Sequence, residues 1–383
     1  MAMVNKTQEI TDLTICRALF ASWVFLYHVD LHAQFAGDLG PAHNLVQHGY
    51  LGVDGFFILS GLLLAKLHQE FSRSIEGSLR FWGKRLARIY PVHLATLAIL
   101  IALVVVGRLA GLHANEPGRF SFLSLLQNLA LLQGWGFGPQ WTWNYPSWSI
   151  SSEWAGYLLF PVIIFTLGRM PTIVVGQFIL FALPLLAIIG LWSGHGLNVS
   201  YTDALPRFFV EFIWGIVSAR LVPAFADALP TAVLALIGGG LTLWGVYLGY
   251  DAFSAFGLWF MLVSLSMHAD SERKPILKSL AWARPLGLIS YSFYMSFGIA
   301  ELLMAQIFDH AGWDPANMKL VYLAAMTALT LILAMALHVL VEKPCRRLGD
   351  HWLKKPAQAE ILPPGRAGAP IGRIRPQKMA ARK

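Results

Sequence analysis

From residue 12 to about residue 341 the chain is a near-unbroken series of apolar stretches, most of them close to twenty residues long. That length is decisive, because an α-helix rising about 1.5 Å per residue crosses a ~30 Å hydrocarbon layer in about 20 residues. Ten stretches can be placed, at 12–30, 48–67, 90–108, 146–164, 171–192, 207–224, 229–249, 252–268, 286–306 and 317–341. They are too long, and too continuously apolar, for the alternating strands of about 9–11 residues that build a membrane barrel. The expected fold is all-α, a polytopic integral membrane protein with about ten transmembrane helices. Only 13% of the residues are charged and 56% are hydrophobic. An average soluble domain carries roughly 25% charged residues, so the composition argues against a soluble enzyme, a secreted module or a disordered scaffold.

The placement of charge sets the orientation. A formal net charge of +8 would suit a nucleic-acid partner if the basic residues formed one surface, but here they fall in short clusters between apolar stretches. With the N-terminus inside, 23 of the 29 Lys and Arg residues lie on inside segments, and only Arg108, Arg119 and Lys319 lie outside. Arg17, Lys66 and Arg207 fall within the membrane. Cytoplasmic loops carry such an excess of Lys and Arg, so both termini are expected in the cytoplasm. Nine helices would expose either the first basic cluster or the tail. The domain reading is a cytoplasmic segment at 1–11, a membrane domain at 12–344, and a basic tail at 345–383. From Pro356 the tail is rich in Pro, Gly, Ala and basic residues and is expected to be disordered beside anionic lipid. The first apolar stretch contains Arg17 and no small-residue cleavage site, so it reads as a retained helix rather than a signal peptide. Cys16 and Cys345 stand alone, without a metal or disulfide framework, and read as small apolar fillers.

Ionisable residues inside a bilayer are costly and call for a partner or a function. Arg17 and His28 are eleven residues apart, about 20° past three helical turns and about 16 Å along the axis. They share one face at different depths. A guanidinium fork suits phosphate, and an imidazole can take a hydroxyl proton near neutral pH. The alternative is that Arg17 snorkels and His28 bonds another helix. His32, one turn beyond His28, could begin a metal site, but no third ligand is evident, and none is expected. Asp54 lies among Gly52, Gly55, Ser60 and Gly61, which permit close helix approach. Arg85 and Arg88 are spaced i, i+3 and face one way on a short amphipathic helix. Tyr90 and Pro91 mark the start of the third span. Positive-inside bias alone explains that pair, as does a site for cofactor phosphates.

Glu153 in WSISSEW needs a proton or a donor if buried. The neighbouring Ser149, Ser151 and Ser152 lack a nucleophile elbow and read as packing or network residues. Arg207 and Glu211 form an i, i+4 pair, most simply structural. Glu301 and Glu342 read as isolated carboxylates, with Glu342 ending a helix at the basic interface. The 109–145 loop, with Trp135, Trp141, Trp143 and Tyr145, reads either as an interfacial aromatic belt or as a sugar-stacking platform.

Several of these segments together resemble the integral-membrane acyltransferase family 3, which contains polysaccharide O-acetyltransferases. They are Arg17 with His28, GVDGFFILSG at 52–61, RLARIYP at 85–91, WSISSEW at 148–154, LGLISYSFYM at 286–295, and Glu342-Lys343-Pro344. The resemblance runs in the family's order and is to the stand-alone type. Two positions depart from it: Ser152 replaces the usual hydrophobic residue, and Phe297 stands where the family often has a histidine. The resemblance implies an O-acyltransferase of a bacterial cytoplasmic (inner) membrane. It would move an acetyl group from cytoplasmic acetyl-CoA to a hydroxyl of an envelope glycan or glycolipid. Acyl-CoA is then a donor substrate, with no permanently bound cofactor. Arg85, Arg88 and Arg17 would hold the donor, and His28, Arg17 and Glu153 would serve catalysis. A transporter of a small anion or acyl-modified product is the competing expectation, and a non-enzymatic membrane scaffold a weaker one.

Overall fold

The computed structural model describes residues 10–68, 74–111, 117–138, 141–221, 230–271 and 273–352. Thirteen α-helices run in order: α1 Thr11–Ala33, α2 His43–Gln47, α3 Gly52–Leu67, α4 Ile75–Leu109, α5 Phe122–Leu129, α6 Trp148–Leu167, α7 Thr172–Ser193, α8 Ala204–Leu221, α9 Thr231–Leu248, α10 Asp251–Asp270, α11 Arg284–His310, α12 Lys319–Leu337 and α13 Lys343–Trp352. The described residues contain no strand. Within the described residues, each of the ten apolar stretches is helical over most of its length.

Among the described residues, eight helical segments are long and apolar enough to cross a membrane. The helices α1 and α8 are not among them. They carry polar residues in the middle of otherwise apolar sequence, Arg17, His28 and Asp30 in α1 and Arg207, Glu211 and Arg220 in α8. In α8 the Arg207 guanidinium is answered from within the bundle. The Arg207 Nε donates to Asp54 Oδ1 on α3 at 3.1 Å, its Nη2 donates to Asp54 Oδ2, and Glu211 Oε1 lies 3.7 Å from Nε. The i, i+4 pair read from the sequence is therefore the weaker half of a buried trio whose main partner lies on another helix.

Close approach of α3 and α8 makes that trio possible. A Cβ on Gly61 would sit 2.0 Å from the Phe212 carbonyl oxygen, and one on Gly215 would sit 2.2 Å from that of Ile58. Only glycine fits at both contact points. At the start of α1, the Asp12 carboxylate accepts from the backbone N–H of Ile276 and Leu277, each at 3.0 Å. This clasp ties α1 to the segment preceding α11.

Two expectations change. Pro91 does not begin a helix: α4 runs unbroken for 35 residues with Pro91 inside it. The short amphipathic helix and the third span are one element, about 52 Å long, so its Arg-rich end extends beyond any single hydrocarbon layer. Glu342 does not stand apart at a helix end. It closes a π-helical turn, His338–Glu342, and is held there by the Ser292 hydroxyl at 2.6 Å and His338 Nδ1 at 2.9 Å. A widened turn lets the side chain reach α11. The helix then continues as α13 to Trp352. The disordered tail expected from Pro356, and the N-terminal residues 1–9, lie outside the described residues.

Candidate active site

The helices α1, α3, α4, α6 and α11 enclose a cavity of about 160 Å³. Arg17, Arg85, Arg88 and Glu153 all line it. The i, i+3 spacing brings Arg85 and Arg88 to the same side of α4, and the inward face of α1 supplies Arg17. Three guanidinium groups meet one carboxylate, so the wall carries an excess of positive charge and favours an anion. The Arg85 Nε is buried without a hydrogen-bond partner, and its guanidinium lies 5.6 Å from the centre of the Phe81 ring. A buried donor left open in this way is costly unless a ligand completes it.

Glu153 is not loose in this wall. The Ser60 hydroxyl donates to its Oε1 at 2.5 Å, which gives the α3 serine a definite partner. At one boundary of the cavity Ser149 lies 3.0 Å from the Tyr294 hydroxyl. Ser290 also lines the cavity, with a buried hydroxyl that has no partner. The sequence held no sign of Ser290 beyond its place in the SYSFYM segment. Ser152, in contrast, donates to the Trp148 carbonyl of its own helix at 3.1 Å and is fully buried; Ser151 is bonded to the Leu131 carbonyl at 2.6 Å.

His28 does not line this cavity. The polar core expected to be shared by Arg17, Glu153 and His28 is divided in two. His28 belongs to a second cluster, where its Nδ1 lies 3.1 Å from the Tyr145 hydroxyl. Tyr145 in turn donates to Glu301 Oε2, and Glu301 Oε1 is 2.9 Å from His32 Nε2. Glu301, read as isolated, thus ties α1, α11 and the turn before α6 together. His32, read as a possible metal ligand, is committed to that carboxylate; among the described residues no three His, Cys, Asp or Glu side chains are grouped to hold a metal.

Phe297 packs against a residue of each cluster. The Phe297 ring lies 4.9 Å from that of His28 and 5.4 Å from that of Tyr294. Of the loop tryptophans, Trp143 is buried and packs edge-on against Phe120 at 5.3 Å. Trp135 donates its indole N–H to the Ser151 carbonyl at 3.0 Å. Trp141 is exposed, 5.4 Å from Tyr145. The three therefore do not form one continuous platform.

Comparison with known proteins gives this arrangement a context. The family model described as an acyltransferase domain matches residues 10–339. The acyltransferase MdmB of Streptomyces mycarofaciens is 28% identical over 375 residues, covering 90% of this chain and 94% of that protein. The O-acetyltransferase OatA of Staphylococcus aureus (strain NCTC 8325 / PS 47) is 27% identical over 225 residues, covering 55% of this chain and 34% of that protein. No solved structure matches.

Proposed function

The chain belongs to acyltransferase family 3, and from that membership we propose that it is a multi-pass membrane O-acyltransferase using cytoplasmic acetyl-CoA as donor and a hydroxyl of an envelope glycan, glycolipid or related glycoside as acceptor. The name of the staphylococcal relative, an O-acetyltransferase, supports the acetyl group. The observation that carries the donor assignment is the cavity with three arginines, one glutamate and an open Arg85 Nε. CoA brings phosphates on one end and a thioester on the other, and a cavity with excess positive charge at the Arg-rich end of α4 suits that polarity. The proposed topology has ten spans, both termini in the cytoplasm, and residence in a bacterial cytoplasmic membrane.

In this proposal Arg85 and Arg88 hold the nucleotide phosphates, and Arg17 meets the phosphate on the pantetheine side. The thioester reaches toward Tyr294 and Ser149, and rotation of the Phe297 side chain joins that end to His28. The acceptor oxygen attacks the thioester carbonyl while its proton passes to His28 Nε2. As the C–O bond forms and the C–S bond breaks, the thiolate leaves and takes the proton back. Ester and free CoA thiol are the products, and no external reagent is needed. Glu153, bonded to Ser60, fixes the charge balance of the cavity and is assigned to orientation rather than to bond making. The proposed route takes no part from Ser151 and Ser152, whose hydroxyls are bonded to backbone carbonyls.

The test is CoA binding to purified protein by titration calorimetry. Loss of one charge-assisted hydrogen bond costs about 1.5–3 kcal/mol, so Arg85→Ala and Arg88→Ala should each weaken CoA by roughly 10- to 150-fold. Unchanged affinity in both variants would reduce the pair to a topology signal. Label transfer from radiolabelled acetyl-CoA then separates an enzyme from a carrier, which would move substrate without any covalent change.

A further inference from the structure

With Glu301 ionised and His28 neutral, the hydrogen bonds of the His28 cluster fit one arrangement of protons. An ionised carboxylate accepts hydrogen bonds and donates none. Glu301 is approached by two donors, His32 Nε2 at 2.9 Å and the Tyr145 hydroxyl. A tyrosine has one hydroxyl proton, and that proton is directed at Glu301. The Tyr145 oxygen can then only accept from His28, so the contact at 3.1 Å requires a proton on Nδ1. A neutral imidazole carries one N–H, which leaves Nε2 with its lone pair. That is the tautomer a general base needs, and the less common one for a free imidazole.

The pieces are held rigidly enough for this to matter. Tyr145 is buried, and its carbonyl accepts from the Tyr201 hydroxyl at 2.9 Å. The His28 and Tyr145 rings lie 5.2 Å apart, and Phe297 packs on both, 4.9 Å from His28 and 5.9 Å from Tyr145. These ring contacts hold the imidazole plane beside Tyr145. We propose that Glu301 and Tyr145 are positioning residues for acyl transfer, holding His28 with its proton on Nδ1 and Nε2 free for the acceptor hydroxyl. This assignment rests on His28 being the base of the proposed reaction. His32 holds the carboxylate from its other oxygen at 2.9 Å. The arrangement places a phenol between carboxylate and histidine, so the charge of Glu301 reaches the base through one hydrogen-bonded bridge.

The tautomer can be read without turnover. Full-length protein labelled with 15N-histidine in proteoliposomes gives separate nitrogen resonances for protonated and unprotonated ring positions, with His28 assigned by the signals lost in His28→Gln. The wild-type protein should show Nδ1 protonated and Nε2 bare. Tyr145→Phe and Glu301→Gln should move the proton toward Nε2, since the phenylalanine cannot accept and the amide cannot receive both donors. Kinetically, a wrong tautomer lowers kcat far more than donor binding. Tyr145→Phe should therefore lose roughly 100-fold in kcat, with the KM for acetyl-CoA within about twofold. Dodecyl maltoside, a glycoside with free hydroxyls, serves as the probe acceptor. A proton on Nε2 in the wild-type protein overturns the proposal, as does full turnover in Tyr145→Phe once its tautomer has changed. If CoA binds but no acetyl group moves to any glycoside, the transfer reaction fails, while the tautomer in the same sample still decides the proton arrangement.

Discussion

Replacing Arg207 by methionine would remove the only positive charge from a buried trio. Arg207 is 1% exposed, and Asp54 and Glu211 are both fully buried. Breaking a buried ion pair by deleting one partner costs about 3–5 kcal/mol, because the remaining charge keeps its desolvation penalty. Here the Asp54 carboxylate loses both of its guanidinium hydrogen bonds, so the loss should fall at the upper end, about 5 kcal/mol. Asp54→Asn is milder: Arg207 still has Glu211 at 3.7 Å and the Val199 carbonyl at 3.1 Å from Nη1, which puts the cost at about 2–3 kcal/mol. A triple replacement, Asp54→Leu with Arg207→Met and Glu211→Leu, removes every charge and should recover much of the loss, since apolar substitutes for whole buried networks are often neutral. Unfolding of the purified protein in an SDS titration, followed by the fluorescence of its 14 tryptophans, gives the order of midpoints. That order should be wild type, then Asp54→Asn, then Arg207→Met, with the triple variant above Arg207→Met. An Arg207→Met midpoint equal to wild type, or one above that of Asp54→Asn, would refute the electrostatic account of how α3 and α8 are joined.

Gly61→Ala should lower the same midpoint by roughly 1–3 kcal/mol or more, because the new Cβ meets the Phe212 carbonyl at 2.0 Å; an unchanged midpoint would mean the helices slide apart without loss. Ser152→Val should keep full acetyl transfer, since its hydroxyl serves only its own helix; complete loss with CoA binding intact would reopen a covalent serine route. Glu153→Gln should fold normally and bind CoA several-fold more tightly, as the cavity loses its one negative charge; weaker binding in calorimetry would show that the carboxylate does not face the donor. In a cysteine-free background, Ser271→Cys should react with a membrane-impermeant maleimide only from the cytoplasmic side, and labelling of intact cells would overturn the proposed orientation.

Helix positions were legible because length and apolarity are local properties. The ten stretches needed no knowledge of neighbours, and the i, i+3 spacing of Arg85 and Arg88 alone places both on one side of α4. Pairings between helices were not legible. Nothing near Glu301 signals that Tyr145, 156 positions earlier, and His32, 269 positions earlier, converge on its two oxygens. Asp54 and Arg207 likewise meet across 153 positions, so the visible i, i+4 neighbour drew the assignment instead. Arg17 and His28 were placed on one face by the helical period, but that period cannot report the Phe297 ring, 269 residues later in the chain, which packs against a residue of each cluster. The π-helical turn at Glu342 was hidden for a related reason: it exists to reach Ser292, a partner on a distant segment.

The thinness of the aromatic layer at Phe297 has an electrical consequence. In the proposed topology, polar groups on its two sides would carry the potential of their own compartments inward, and the membrane voltage would fall across the apolar layer between them. Moving one elementary charge through 100 mV is worth about 2.3 kcal/mol, and concentrating that drop over a few ångströms produces a steep local field. A protein that brings reactants together from two compartments must not also join those compartments as conductors. In that proposal the benzyl group at 297 would act as the dielectric of a small capacitor, and an acyl group displacing it would itself be apolar and keep the circuit open. Phe297→Ala would leave neither in place. In proteoliposomes under an imposed potential it should leak protons or small ions, a loss visible as current long before it is visible as turnover.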